Sequence, residues 1–417
     1  MVGEWSDVEA RAAELVDLLG SPDAEIRLDA VWRGGDAVRR WRGPYGNLIA
    51  TLGERLRDSD PEVRSAAARV CERLYSTAQP AADHLAGRVA ADVDLWNLAE
   101  PVHGGVELRR IAASLARLGD PRAIPSLAAN VDRHPRLAVT VVLSLSHFRD
   151  HAEDFVPGLR QRLARGARAL PAEHGEALLA VTGLRCVAGV EGTPEVLQLL
   201  RAAATSETWP LAREALRTLA TFGPVAADAE IRPYLTSPQP RIAVAAAHVL
   251  SAWPANADSV LPVLLPRLES DSPAERDTAF AALRRLGPAA WEVAGRVREL
   301  HDALRELVDD GANDGRAVAT WGHIIDCAIA LWHLSGDGDA VLPTLIDAWP
   351  SNPHRRADIV DCLAQLGPAA APALPLLRAE VATPERYWTD GGPTDLIKRD
   401  EALLAKCRDV LSAAGPG

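Results

Sequence analysis

The strongest candidate for a catalytic or metal-binding site is the run WGHIIDCAIALWH, from Trp321 to His333, because it combines histidine with aspartate. On a helix His323 and Asp326 are neighbours, and His333 follows two turns beyond Asp326 on nearly the same face. A His–Asp pair can transfer a proton or begin a metal site. Two turns are too far for His333 to share an ion with that pair unaided. We interpret the run as a polar helix face with a capping histidine, and an acid–base pair is the alternative.

A second pair of histidines, His147 and His151, stands near Asp150 and Asp154. One helical turn between histidines can hold zinc, but the glutamate of a His-Glu-x-x-His motif is absent and a third ligand is uncertain. The polar run 309–315 has the composition of a calcium loop without its ligand alternation or closing glutamate. We therefore expect neither a metal nor another cofactor.

Arginines are mixed with aromatic residues between Trp32 and Tyr45, a composition that could form a phosphate- or nucleic-acid-binding surface. One such run is weak support in an acidic chain, and Trp32 and Trp41 can equally close the exposed core of a first repeat. The chain has no Gly-x-Ser-x-Gly, phosphate-binding loop, dinucleotide fingerprint or Cys-x-x-Cys. We assign no catalytic residue.

The elements that position these residues follow a template seen best at 272–288. Arg276 begins a helical period of apolar or small residues, which predicts one broad buried face. Gly287 suits a helix end, and Pro288 suits the first turn of the next helix. The buried positions of this template are Ala279, Phe280, Ala282, Leu283 and Leu286.

The template recurs at intervals of roughly 30–45 residues, the range of a two-helix repeat. Its first position, the anchor, falls at Arg27, Arg64, Leu108, Arg136, Ala177, Ala212, Ala243, Arg276, Ile324 and Arg356, with a degenerate copy near Asp400. A helix with a proline near its start lies between successive anchors, as in Leu261-Pro-Val-Leu264. One such hairpin cannot bury its apolar faces alone, so the hairpins must stack.

The pairing of an Ile/Leu-Pro-x-Leu helix with an Asp/Ser-Pro-x-x-x-Arg-x-x-Ala-Ala helix resembles HEAT repeats, particularly the phycobilisome-lyase-like subtype. The resemblance covers roughly residues 10–380 and implies an all-α, right-handed α-solenoid of about eleven stacked two-helix repeats. We expect one domain over 1–417, with capping repeats within 1–60. A C-terminal capping hairpin is expected over 383–417, with a loop insertion that carries Tyr387 and Trp388.

In HEAT-like stacks the second helix of each hairpin lines the concave surface, so the resemblance implies a groove. Positions two and five after each anchor should face it, and His333 joins them as the end of the His–Asp run. The candidate groove residues are Asp29, Trp32, Arg69, Arg110, Glu214, Arg217, His248, Asp326, His333, Asp358 and Asp361. They are arginine-rich in the first half and acidic in the last repeats, a polarity that would orient an elongated partner. A solvated helix face is the plainer interpretation.

Composition limits the partners and the compartment. The formal net charge of −12 argues against nucleic acid, whose phosphates need clustered positive charge. The first residues lack the pattern of a signal peptide, and charged residues interrupt every apolar run, so we expect no membrane contact. The five cysteines lie far apart, and four of them fall on interior positions of the repeat. Reduced thiols and a cytoplasmic location are therefore expected.

These observations favour a non-catalytic scaffold or regulator that binds a protein or peptide in the groove. The alternative is an enzyme on the same scaffold, DNA glycosylase-like or lyase-type, because the HEAT-like family includes such proteins and fold does not determine function. A glycosylase of this kind needs a basic concave track that also contains an acid and aromatic residues. The chain offers basic character only in its first half, so we favour the binding module.

Overall fold

The structure is a computed structural model, and it describes residues 5–91, 103–131, 139, 141–142, 144–166, 182–183, 194–205, 209–220, 224–309, 317–386 and 396–414. Within these ranges the regular structure is α-helix or 3-10 helix, with one isolated antiparallel bridge between Trp41 and Glu385. The predicted all-α class is confirmed. Several predicted features lie outside the described residues: the anchors Arg136 and Ala177, Cys186, most of the 309–315 loop, Tyr387 and Trp388.

The chain divides into two compact units, the first formed by 1–190 with 382–401 and the second by 191–381 with 402–417. The helices of the first unit are α1 Trp5–Leu19, α2 Ala24–Arg40, α3 Gly46–Glu54, α4 Pro61–Arg73, α5 Ala82–Ala91, α6 His103–Leu118, α7 Ile124–Asn130 and α8 Ala152–Gly166. Those of the second are α9 Pro194–Ala204, α10 Trp209–Leu219, α11 Pro224–Ile231, α12 Pro240–Leu250, α13 Ala257–Leu264, α14 Pro273–Leu286, α15 Ala294–Asp309, α16 Ala317–Ser335, α17 Gly338–Ser351, α18 Arg356–Leu366 and α19 Leu374–Ala382. The last helix, α20 Leu396–Ala413, contributes to both units. The expectation of a single domain with two caps stays a prediction.

The predicted turns act as helix caps. Asp60 precedes Pro61, and its side chain accepts hydrogen bonds from the backbone of Glu62 at 2.8 Å and Val63 at 3.2 Å. These bonds satisfy two of the amides that a helix start leaves unpaired, and proline fits the first turn because it has no amide to satisfy. At the other end of the template Gly287 has a φ of 52°, a conformation that favours glycine. Caps and stops thus lie where the repeat predicts them.

The anchor arginines have a structural task that the repeat pattern alone does not reveal. In three repeats the Nη1 atom of the anchor donates a hydrogen bond to the carbonyl oxygen six residues earlier, before the helix begins. These bonds join Arg27 to Ser21 at 2.9 Å, Arg64 to Asp58 at 2.7 Å and Arg276 to Ser270 at 2.5 Å. A charged donor makes a strong bond to a carbonyl. The anchor therefore ties each turn to the helix that follows it.

Proline positions in the first helix of each hairpin differ partly from the prediction. Pro125 and Pro375 lie in first turns as expected. Pro157, Pro262 and Pro343 lie further inside α8, α13 and α17, because these helices begin about one turn earlier than the sequence indicates. A proline beyond the first turn has no amide to donate to the carbonyl oxygen four residues earlier, so each of these helices lacks one of its regular backbone hydrogen bonds.

Residues 382–386 and 396–401, which we call the C-terminal stretch, pack on the hairpins at the start of the chain. Arg42 and Arg386 both donate to the carboxylate of Asp400, and all three side chains are at most 7% exposed. The Arg42 Nη2–Oδ1 and Arg386 Nη1–Oδ2 distances are both 2.5 Å. In addition, the backbone amide of Arg42 donates to the carbonyl oxygen of Pro384, and the backbone amide of Arg386 donates to that of Arg40. We call Arg42, Arg386 and Asp400 the terminal clamp.

One stretch, Pro353–Ala382, is long and apolar enough by length and composition to cross a membrane. By length and composition, this stretch is therefore an exception to the expectation that charged residues keep every apolar run shorter than a membrane span. It is not one continuous α-helix, because α18 and α19 are separated by the 3-10 segment 367–373, with Gly367 at a φ of 57°. Eleven and nine helical residues are each far short of the ~20 that span a bilayer. Ile359, Leu363 and Leu377 are instead buried within the second unit.

Truncating a template core position should destabilise the second unit. Leu283→Ala removes a side chain that is fully buried, and we expect a loss of about 3 kcal/mol from lost burial and the cavity left behind. Arg298→Ala, at an exposed position of α15, should change stability by no more than about 0.5 kcal/mol. Urea denaturation of both variants measures the difference, and equal losses would contradict the buried position of Leu283.

Candidate functional site

The second helices of the hairpins are α2, α4 and α6 in the first unit and α10, α12, α14, α16 and α18 in the second, and all of them except α14 carry a predicted groove residue. We call their outward surface within each unit the second-helix face. The structure distributes the predicted residues over three environments. Asp29, Trp32, Arg69, Arg217 and Asp361 are exposed; Arg110, Glu214, His333 and Asp358 are half-buried; His248 and Asp326 are buried.

In the first unit α2 packs on α4 and α4 packs on α6. The guanidinium of Arg69 lies over the ring of Trp32, with 5.7 Å between the guanidinium carbon and the ring centroid. Trp32 keeps 36% of its surface exposed, so it does not close the core of the first repeat as the alternative interpretation suggested. The predicted groove residues of α2 and α4 therefore contact each other as a cation–π pair on the surface.

Three further arginines lie around this pair. We define the arginine cluster as Arg39, Arg69, Arg73 and Arg110. Burial, followed by the positive charges of Arg69 and Arg39 and, more weakly, of Arg110, lowers the pKa of Arg73. Two carboxylates offset part of this charge. Arg110 lies 3.5 Å from Glu72, and Arg39 lies 3.4 Å from Asp36.

Arg117 borders the cluster but is held by the fold. It donates to the backbone oxygen of Glu72 at 2.6 Å and lies over the ring of Tyr75 at 4.6 Å. The repeat pattern did not indicate Arg39 and Arg73, because it considers only positions two and five after each anchor. The helical period could have found them, since Arg39 lies seven residues after Trp32 and Arg73 four after Arg69.

In the second unit His248 does not line an open groove as predicted. It is buried in α12, and its Nδ1 atom has no hydrogen-bond partner among the described residues. Its pKa is lowered to about 4, mainly by burial. Neighbouring guanidinium groups on α10 and α14 add to the same shift: those of Arg285, Arg217 and Arg213. The ring is therefore neutral at pH 7.

His248 should make the second unit sensitive to acid. The unfolded histidine binds a proton below about pH 6.5, whereas the folded ring binds one only below about 4. The unfolded state thus holds more protons in this window, and stability falls by up to about 3 kcal/mol as the pH falls through it. His248→Gln should reduce this loss, measured by urea denaturation at pH 7 and pH 4.5. His354→Gln, at an exposed site, serves as the control, and an equal pH slope in both variants would refute the assignment.

The clearest departure from the predicted groove is at Asp326, which is only 2% exposed and so does not face an open groove. Its carboxylate accepts from Arg355 Nη2 at 2.5 Å and Nη1 at 3.2 Å, and Arg284 Nη2 lies 3.7 Å away. The residue therefore connects α16 to α14 and to the turn that leads into α18. The partner of Asp326 is therefore Arg355, whereas the acid–base alternative paired it with His323.

The two histidines of the same run do not form an acid–base pair with Asp326. His323 packs edge-on against Phe280, with 5.4 Å between ring centroids, and its Nε2 atom has no partner within the described part of the chain. Burial lowers the pKa of His323, and burial together with Arg284 lowers the pKa of His333. The run is thus built into the packing between repeats.

The other two aspartates of the predicted acidic end are also paired. Asp358 Oδ2 lies 2.5 Å from Arg355 Nε, and Asp361 Oδ2 lies 2.6 Å from Lys406 Nζ. Of the three aspartates expected to form an acidic end, Asp326 is thus buried, and Asp358 and Asp361 are partly exposed and paired with cations.

His147 and His151 do not share an α-helix as expected. They end two successive 3-10 turns, Leu145–His147 and Arg149–His151, and both side chains are exposed. The nearest carboxylate contact is between His151 Nδ1 and Asp154 Oδ2 at 3.6 Å. In the described ranges no three His, Cys, Asp or Glu side chains are grouped so that they could hold a metal ion.

Comparison with known proteins identifies the repeat. Residues 193–284 match the family model described as HEAT repeats. This match covers part of the second unit and confirms the HEAT-repeat resemblance there, whereas the phycobilisome-lyase-like subtype stays a prediction. No curated protein matches the chain.

Solved structures similar to this chain include those of Kap121p, a karyopherin. Kap121p bound to Nup53p aligns over 99% of this chain and 53% of its own, at 12% identity and a TM-score of 0.44. Kap121p bound to the SUMO protease Ulp1p aligns over 97% and 52%, at 13% identity and a TM-score of 0.46. The chain thus spans about half the length of the Kap121p chains that it matches.

Proposed function

We propose that this chain is a non-catalytic scaffold or regulator that binds a protein or peptide partner on its second-helix face. The observation that carries the proposal is the surface of the first unit. Three successive second helices there carry Trp32 and Arg69, each five residues after its anchor, and Arg110, two residues after its anchor. Aromatic and arginine side chains are the residues most enriched in binding hot spots.

The groups that could have carried chemistry support the same proposal. Asp326 and Asp358 are bound to Arg355, and Asp361 is bound to Lys406. A general acid or base needs a side chain within hydrogen-bond reach of a substrate, whereas these three carboxylates already contact cations of the protein. The enzyme alternative, DNA glycosylase-like or lyase-type, therefore has less support than the scaffold.

We also propose the cytoplasm as the compartment. The cysteines that the structure describes, Cys71, Cys327, Cys362 and Cys407, are free thiols and buried. Burial raises the pKa of Cys71 to about 12, which keeps it protonated and unreactive. Free buried thiols fit a reducing compartment.

Site-directed photo-crosslinking tests the proposed surface. A photoreactive phenylalanine analogue is placed at Trp32 or Arg217, and at Asn47 or Asp258 as exposed controls on helices outside the second-helix face. After irradiation in the native host, the same protein should be captured from the first two positions and not from the controls. Equal capture from all four positions would contradict the proposal.

A further inference from the structure

We infer that the arginine cluster is a docking site for an acidic segment of the partner protein. This inference rests on the proposed function and names the chemistry that the first unit would recognise. The partner segment is an extended stretch in which Asp or Glu recurs. Its carboxylates would pair with the guanidinium groups of Arg39, Arg69, Arg73 and Arg110.

Positive charge outnumbers negative charge in the described surroundings of the cluster. Its four guanidinium groups have two carboxylates close by, those of Asp36 and Glu72. Arg73 is half-buried, and the charged groups that act on it are three arginines, Arg69, Arg39 and Arg110, and one carboxylate, Glu72. A half-buried cation beside like charges is unfavourable unless an anion joins it. Binding of a carboxylate would remove that repulsion, so the free protein is poised for an anionic partner.

The cation–π pair of Arg69 and Trp32, within the arginine cluster, has a geometry that suits binding of a carboxylate. The ring of Trp32 packs against the Arg69 guanidinium at 5.7 Å, which restrains its plane. A guanidinium with a fixed plane can bind both oxygens of a carboxylate along its edge. Less side-chain entropy is then lost on binding, and this favours affinity.

The spacing of the cluster sets the pattern of the acidic segment. Its arginines lie on α2, α4 and α6, and adjacent packed helices are about 8–10 Å apart. A chain in the extended polyproline II conformation has three residues per turn and advances about 3.1 Å per residue, so every third residue returns to the same side at about 9 Å. A Glu-x-x-Glu-x-x-Glu segment that crosses the three helices would therefore place one carboxylate at each.

An acidic protein segment fits better than nucleic acid. The whole chain has a net charge of −12, so a long phosphate backbone would meet repulsion beyond the cluster. A short segment needs to match only the local positive surface. Its binding should weaken with salt, because exposed charges are screened.

Fluorescence anisotropy with a labelled peptide tests this inference. The probe is a 12-residue Gly/Ser peptide with Glu at every third position, compared with the same peptide carrying Gln instead. The wild-type protein should bind the Glu peptide at low salt and the Gln peptide at least roughly tenfold more weakly. Arg69→Glu/Arg73→Glu should lose at least tenfold in affinity for the Glu peptide.

A matched double variant controls for net charge. Arg57→Glu/Arg160→Glu makes the same change in charge at two exposed positions of the first unit outside the cluster, and it should keep wild-type affinity. Circular dichroism and urea midpoints check that each variant is folded. Arg69→Gln/Arg73→Gln repeats the test with a smaller change of charge, should the reversal disturb folding.

Three outcomes would overturn the inference: no binding of the Glu peptide at low salt, equal losses in the cluster and control variants, or tighter binding of a 12-nucleotide single-stranded DNA. The last outcome would replace the acidic segment with nucleic acid. If the peptide fails to bind while crosslinks from Trp32 still capture a partner, the inference fails and the proposed function stands.

Discussion

Replacing Asp400 with alanine should destabilise the first unit by about 3–5 kcal/mol, because it leaves two buried arginines without their shared anion. Arg42 and Arg386 are 4% and 5% exposed, so water cannot take the place of the carboxylate. Urea denaturation measures the loss of stability. Hydrogen exchange should also show faster exchange at the amides of Arg42 and Arg386, whose backbone bonds hold the C-terminal stretch to the first hairpins.

Glu385→Ala is the matched control for the terminal clamp. It removes an ion pair with Arg40 at 3.3 Å in the same stretch, but the two side chains are 61% and 47% exposed. Exposed pairs contribute at most about 1 kcal/mol, so this variant should remain close to wild type. If Asp400→Ala cost no more than Glu385→Ala, the clamp would have no particular role in holding the two ends of the chain.

Features that depend on neighbouring residues in the chain could be predicted from the sequence. The periodicity around Arg276 correctly places Phe280 and Leu283 in the core, because helical phase is a local property. Asp60 before Pro61 likewise marks a helix start, since the cap bonds reach only two and three residues ahead. The all-α class follows from many such local signals.

Burial of polar residues could not be predicted in the same way. Asp29 and Asp326 both lie two positions after an anchor, yet Asp29 is exposed and Asp326 is buried. The helical period predicts the direction in which a side chain points. Its burial also depends on which side chains of the adjacent repeats cover it. Arg284 and Arg355 cover Asp326, and they lie 42 and 29 residues away in the chain.

The terminal clamp shows the same limit at greater range. Arg42 and Asp400 are 358 residues apart, and no periodicity connects them. The sequence marked both places only indirectly, as an arginine-rich run and as a degenerate repeat. Arg73 was missed for a different reason, because a fixed pair of positions after each anchor does not cover the whole helix face.

The three aspartates expected to form one acidic surface should differ sharply when each is replaced by alanine. Asp326→Ala should cost about 3–5 kcal/mol in the second unit, because Arg355 then loses its buried partner. Asp361→Ala breaks a pair whose side chains are 39% and 51% exposed, and it should cost at most about 1 kcal/mol. Asp358, 44% exposed, should behave like Asp361.

A double-mutant cycle separates the ion pair from a simple loss of packing at Asp326. Arg355→Ala alone leaves the carboxylate buried with only Arg284 near it, at 3.7 Å. When both partners are removed, neither is left as an uncompensated charge, so the double variant should lose less stability than the sum of the two single variants. Additive losses, or equal losses at all three aspartates, would contradict the pairing. The predicted result would mean that these carboxylates align α14, α16 and α18 with one another, and that the second unit must attract a partner through other groups.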